Sequence, residues 1–429
     1  MQKISVMYRV VIVSFFMTIS LIAQASFNDF FLDQSMRIDY VHAGDQHSEQ
    51  YYLQEIRKEP YWGGSVSHLI DTYKYGKYFF EVYDDSTGSL IYSRGYSSLF
   101  GEWQTTDDAS LKKKAFFESV IFPFPKKSVI VRWYARDYDG NFVQKMEQKV
   151  NPAGYFIKPG ISKKYPVYQA YHSGDPHEKV DIVILPDGYT KDEMELFKSD
   201  CDKFAKELFK YQPYSEYKDR FNISGVLAPS EDSGNDIPVE GIWKNTQLST
   251  SFYTFNSERY CMTEDNKSVR DLAANVAYDQ IYILVNNEKY GGGAIYNFYN
   301  VSVNSNKQAG KIFVHELGHG FAGLADEYYD NSTSYKDFYN ISVEPWEPNI
   351  TTLVRFDTKW KHLVEKNTPI PTPETKEYQD VVGAFEGGGY IAKGVYRPKQ
   401  DCMMKTFKGS EFCEACQEAI IKMILFYSE

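Results

Sequence analysis

The sequence predicts an α+β chain in two parts. An antiparallel β-sandwich domain occupies residues 26–160, a linker covers 161–178, and a mixed α/β domain fills 179–429. Three observations carry this prediction. Strand-like runs divided by turn residues fill the first part. A helix bearing two histidines one turn apart stands in the second. The composition, 43% hydrophobic and 24% charged over 429 residues, is that of a globular chain long enough for two cores.

Residues 1–25 read as an address. Lys3 and Arg9 form a positive end, an apolar run follows over 10–22, and Ala23-Gln24-Ala25 is a small-x-small cleavage site. The run is shorter than the roughly 20 residues a bilayer span needs. The expectation is export, to the periplasm, cell surface or exterior, with cleavage near Ala25 and no membrane span in the mature chain. The formal charge is −11, and −13 once Lys3 and Arg9 leave with the leader. That balance disfavours nucleic acid and anionic membranes as partners.

In the first part, strands are predicted over 78–84 and 90–96 as a hairpin across Asp85-Ser86-Thr87-Gly88, and over 128–136 before a second turn. The chain holds 36 Tyr and 29 Phe, many in these alternating runs, where aromatic side chains pack well on a pleated surface. The second part opens with a strand at 179–185. Pro186-Asp187-Gly188 turns the chain, and the capping box from Thr190 to Glu193 starts a helix through Leu208. Further strands are predicted at 221–228 and 280–287. Tyr290-Gly291-Gly292-Gly293 and 294–303 then form an exposed edge strand, where a peptide could add as a further strand and the glycines would let it approach closely; the alternative is that the glycines only make a bulge or hairpin.

The decisive feature is His315-Glu316-Leu317-Gly318-His319 in a helix predicted over 307–322. Histidines four residues apart in a helix point the same way, so one tetrahedral Zn²⁺ can take both. Glu316, beside the first ligand, can reach the open fourth position as a general base. A solvated surface helix is excluded by the apolar flanks Ile312, Phe313, Val314, Phe321, Ala322 and Leu324. Gly323 suits the left-handed residue that stops a helix, and the turn sends the chain back past the metal. Asp326, three residues on, is the candidate third ligand, with Glu327 the alternative and His362 a spare. The metzincin pattern also places its third ligand three residues after this glycine, although one extra residue stands before the glycine here. Met404, or its neighbour Met403, is a candidate apolar floor beneath the ligands.

His315 to Tyr328, Tyr290-Gly291-Gly292-Gly293, Phe385-Glu386-Gly387-Gly388, Tyr396-Arg397-Pro398 and Cys402-Met403-Met404 together resemble the M64 family of metallopeptidases. Asp181 to Tyr189 resembles the opening of its catalytic domain. The resemblance implies a metzincin-like (zincin) catalytic fold and zinc endopeptidase activity on a protein or peptide substrate. It also implies that His315 and His319 are ligands and Glu316 the base. Tyr390, Tyr396 and Arg397, close in sequence to the methionine turn, are candidate oxyanion donors. Two other readings compete: a zinc hydrolase acting on a cell-wall or other non-peptide bond, and an adhesin or carbohydrate-binding protein with a retired site.

Five cysteines remain. Export permits disulfides, and the candidate pairs are Cys402 with Cys413 or Cys416, and Cys201 with Cys261. Cys413-Glu414-Ala415-Cys416 also suggests a second zinc site or a redox pair, but no second C-x-x-C exists to complete a zinc site. Asp326-Glu327 and the polar stretch 330–339 are candidate Ca²⁺ ligands. Oligomeric state has no signature in the sequence.

Overall fold

The computed structural model describes residues 26–329, 339–408 and 411–429. The expected leader at 1–25 and most of the polar stretch 330–339 lie outside the described residues. Short helix α1 (Phe27–Phe30) leads into β1 (Phe31–Gly44), β2 (Glu49–Glu59), β3 (Tyr78–Asp84) and β4 (Leu90–Tyr96). Short helices α2 (Leu99–Trp103) and α3 (Asp107–Leu111) precede β5 (Lys114–Pro125), β6 (Val129–Arg136), β7 (Phe142–Val150) and β8 (Lys158–Pro159). The β3–β4 hairpin and β6 fall where the alternating runs predict them.

These strands form two four-stranded sheets, ordered β5-β1-β2-β8 and β4-β3-β6-β7. Strand β6 shows why: Val129, Val131, Trp133 and Ala135 are buried while the residues between them are not, the period of two that one covered face imposes. Ile38 and Tyr40 of one sheet meet Phe80 and Trp133 of the other in a shared core. The two-residue β8 runs parallel to β2, so the first sheet is not wholly antiparallel.

The second part is built on β9 (Val167–Tyr171), β10 (Val180–Asp187), β11 (Phe221–Val226), β12 (Gln280–Val285), β13 (Gly292–Ile295) and β14 (Tyr299–Val303), in the order β13-β14-β12-β10-β11-β9. Strand β9 lies inside the stretch expected as linker; it pairs antiparallel with β11, so this sheet begins before residue 179. The central strands β11, β10, β12 and β14 are parallel. Every residue of these strands is buried because both faces are covered. Ile182 and Ile184 pack on the side of α4 (Met194–Leu208), α6 (Ala309–Ala322) and α7 (Glu414–Ser428). Val183 and Leu185 face the core holding α5 (Asn266–Ala273). A hairpin, β15 (Phe385–Gly388) and β16 (Ile391–Arg397), completes the fold.

Two expectations need correction. The single edge strand over 290–303 is instead a tight hairpin: β14 lies inside the sheet and β13 is at its edge. Gly292 and Gly293 belong to that edge strand as expected, and packing requires glycine there. A Cβ on Gly291 would meet the Arg259 carbonyl at 2.7 Å, and one on Gly293 the Tyr260 ring at 2.5 Å. Second, Cys201 and Cys261 belong to cores on opposite faces of the sheet and do not pair.

Helix α6 packs on β14 through glycine. A Cβ at Gly320 would sit 1.9 Å from Asn300 Oδ1, whose amide donates to the Ile281 carbonyl at 2.9 Å. Gly320→Ala is therefore expected to displace Asn300 and cost about 1–3 kcal/mol. Thermal unfolding followed by circular dichroism checks this, and an unchanged midpoint would refute the packing account.

The two parts are joined by buried polar and aromatic contacts. Arg37, fully buried in β1, donates to Glu59 at 2.8 Å and across to Asp271 of α5 at 2.6 Å. The Arg94 guanidinium lies 4.2 Å from the ring centre of Phe426 in α7.

Candidate metal centre

Helix α6 ends where the sequence says it should. Gly323 takes the left-handed conformation, φ 65° and ψ 27°, which a side chain disfavours. Its N–H donates to His319 O at 3.0 Å, and the Leu324 N–H to Gly318 O at 3.2 Å, satisfying carbonyls the helix end would leave open. The chain then doubles back and brings Asp326 over the two imidazoles.

Two backbone carbonyls set the rings. His315 Nδ1 donates to Met403 O at 3.0 Å, and His319 Nδ1 to Leu324 O at 2.5 Å. Each bond holds a proton on Nδ1 and turns the Nε2 lone pair inward. The two Nε2 atoms are 3.1 Å apart, and Asp326 Oδ1 lies 3.2 Å from one and 3.4 Å from the other. A tetrahedral ion with bonds of about 2.0–2.1 Å needs ligand separations of about 3.3–3.4 Å. Asp326 Oδ1 has no hydrogen-bond partner among the described residues. Two lone pairs and a carboxylate oxygen facing one point fit a divalent cation.

Electrostatics point the same way. Burial works against charge on His319, yet the Asp326 carboxylate overrides it and raises the imidazole to about 9. Burial likewise opposes ionisation of Asp326, and His319 and His315 outweigh it, holding the carboxyl well below its usual range. Burial pushes Glu316 up, while His315 and His319 pull the other way.

Tyr390 donates its hydroxyl to Asp326 Oδ2, so it positions the carboxylate. Tyr390→Phe is expected to weaken metal affinity about 10–100-fold without unfolding the chain. Competition with a chromophoric chelator measures this, and an unchanged affinity would remove Tyr390 from the site. Tyr396 and Arg397 are elsewhere. Tyr396 exchanges backbone bonds with Thr351, and buried Arg397 donates to Glu386 O and Gly387 O and pairs with Glu374. Proximity in sequence misleads here because β16 carries them away from the turn. His362 pairs at the surface with Glu418. Met404 is buried with its sulfur against Gly318, where a Cβ would approach to 3.0 Å. It thus lies under the helix turn between the ligands, while Met403 contributes its carbonyl. Asp326 and Glu327 face different clusters, so they do not form one calcium site.

The centre opens into a cavity of about 610 Å³. Its walls include Gly292 to Tyr296, Arg259, Tyr290 and Tyr328, and Glu102, Thr105 and Thr106 from the α2 region of the first part. A Cβ on Gly292 would come within 3.2 Å of Glu316 Oε1, so Glu316 faces the edge strand. Segment 259–261 covers the start of that edge: Gly292 N–H donates to Arg259 O, and Cys261 N–H to Gly292 O. Arg259 and Glu102 carry no local sequence signal; folding alone gathers them, while Tyr328 ends the stretch that carries the family resemblance.

Comparison with known families supplies the rest. Residues 169–380 and 374–424 match the family described as IgA Peptidase M64, and residues 26–147 match Peptidase M64 N-terminus. No curated protein matches the chain.

Proposed function

Because the chain belongs to the IgA Peptidase M64 family, we propose that it is an exported zinc-dependent endopeptidase. Its substrate class is extracellular protein, and Glu316 is its general base. The observation that carries this is the triangle of His315 Nε2, His319 Nε2 and Asp326 Oδ1 facing one point at the floor of a cavity bounded by a sheet edge. Two nitrogens and one oxygen, leaving a fourth position open, are the donors of a catalytic zinc. The leader at 1–25 supports export, and no helix among the described residues is long and apolar enough to cross a membrane.

When bound, the ion supplies Lewis acidity to the scissile carbonyl and to the attacking water. The protein does the remainder. The free part of β13, beyond the stretch covered by 259–261, receives an extended peptide backbone as an added strand. Glu316, its Oε1 toward Gly292, takes a proton from water as the water attacks the peptide carbon and then gives it to the leaving nitrogen. Arg259, whose Nη2 lies 3.5 Å from the Tyr328 hydroxyl, supplies positive charge beside the oxygen that becomes negative. Enclosure by the α2 segment of the first part excludes water and strengthens these interactions.

Digestion of a proteome-derived peptide library, with cut sites mapped by mass spectrometry, tests the reading. New termini are expected that vanish with a zinc chelator and return with zinc. Intact peptides, alongside release of product from cell-wall or glycan substrates, would reassign the bond.

A further inference from the structure

Behind the first cluster lies a second. Sequence alone leaves Cys413-x-x-Cys416 as half of a site. The fold adds the missing half from two distant segments: Cys402 from the methionine turn and Glu327 from the strap after Gly323. One ligand atom from each of the four lies within 4.8 Å of all the others. None of the four is more than 5% exposed.

We propose that Glu327, Cys402, Cys413 and Cys416 bind a second, structural divalent ion of zinc type. The spacings suit it. Cys402 Sγ and Cys416 Sγ are 3.8 Å apart, and Glu327 Oε1 lies 3.2 Å from Cys416 Sγ and 4.0 Å from Cys413 Sγ. Zinc–sulfur bonds of about 2.3 Å in a tetrahedron place sulfurs about 3.8 Å apart, and sulfur and oxygen about 3.5 Å apart. Three thiolates and one oxygen select zinc over the hard cations calcium and magnesium.

The surroundings are those of a site built for charge. Glu327 is fully buried, and its Oε2 has no hydrogen-bond partner among the described residues. A carboxylate enclosed among thiols needs a cation or a proton. Its other oxygen accepts from Asn349 Nδ2 at 3.0 Å, and the Cys413 N–H donates to Cys402 Sγ at 3.2 Å. Such donors to ligand atoms orient and stabilise a bound ion's ligands. A disulfide is the rival use of the cysteines, but it would join two and leave the third thiol and Glu327 buried beside it. One ion uses all four.

The consequence of binding is positional. Glu327 is the neighbour of Asp326, and its N–H donates to Met404 O at 2.8 Å. Cys402 precedes Met403, whose carbonyl holds His315. Cys413 caps the start of α7. The second ion clamps the three segments that orient the first centre, and as a closed four-ligand site it leaves no position for water. The proposal does not depend on the peptidase reading.

Elemental analysis of the purified chain, produced with zinc and dialysed without chelator, is expected to give about two zinc ions per chain. His319→Ala should retain about one, and so should Cys416→Ser. Because the cysteine variant can fail to fold, a second measurement needs no cysteine change. Cobalt bound to His319→Ala should show the near-ultraviolet thiolate-to-cobalt charge-transfer absorption, and Glu327→Gln in that background should weaken its binding at least about tenfold. The proposal is overturned if His319→Ala holds no ion, if its cobalt form lacks the thiolate band, or if intact-mass and peptide mapping find Cys402 bonded to Cys413 or Cys416.

Discussion

Glu316→Gln is expected to lower peptide cleavage at least about a thousandfold while metal content and thermal stability stay as they are. The amide keeps the carboxylate's size, so the packing of α6 and the approach to Gly292 persist. It cannot accept a proton from water, and the leaving nitrogen loses its donor. The proposed ligands His315, His319 and Asp326 are untouched, which makes metal retention the internal control. Initial rates on a peptide found in the library digest, together with elemental analysis of the same sample, decide the matter. Activity within tenfold of the unmodified chain would end the assignment of Glu316 as base.

Asp326→Asn should act on the other half of the machinery and lose the ion itself. The side chain keeps its shape and its contact with Tyr390, but the charge that holds His319 near 9 is gone. Affinity is expected to fall at least about a hundredfold, beyond the usual effect of a residue that only supports a ligand. Activity should fall with it at limiting zinc and recover in part with excess. The sign also sets a pH window. Because His319 and His315 hold the Asp326 carboxyl well below its usual range, it stays ionised through neutral and mildly acidic solution. Loss of metal on acidification should therefore follow protonation of His319, which the Asp326 carboxylate favours, rather than of Asp326. A variant that binds zinc as tightly as the parent would show that a different group is the third ligand.

The parts of this protein legible in its sequence are those written in short range. Strand-like runs between turn residues mark β3, β4 and β6, and a spacing of four sets the histidines on one face. A glycine after an apolar run announces the end of α6. What escaped has a common physical origin. The carbonyls of Leu324 and Met403 orient the rings, but every residue has a carbonyl, so none stands out. Arg259 and Glu102 reach the cavity only because distant segments close over it. Gly291 and Gly293 suggest room for an incoming backbone, yet their lack of a side chain also answers to Arg259 and Tyr260 of this chain. The reverse error concerns Arg397: adjacency to the methionine turn suggested chemistry, while the strand buries it as a structural cation. Cys201 and Cys261 look like a pair until the sheet is placed between them.

Glu102, Thr105 and Thr106 close the cavity from the first part of the chain, and Arg37 reaches across to Asp271. A protein started at residue 161 would thus be a cleft with one side missing and an Asp271 carboxylate left with Lys267 as its partner. Its residual catalysis, if it folds, should come with looser selectivity among peptides rather than a faithful miniature of the whole. Shuffling of the front half between relatives would then change what is cut without changing how.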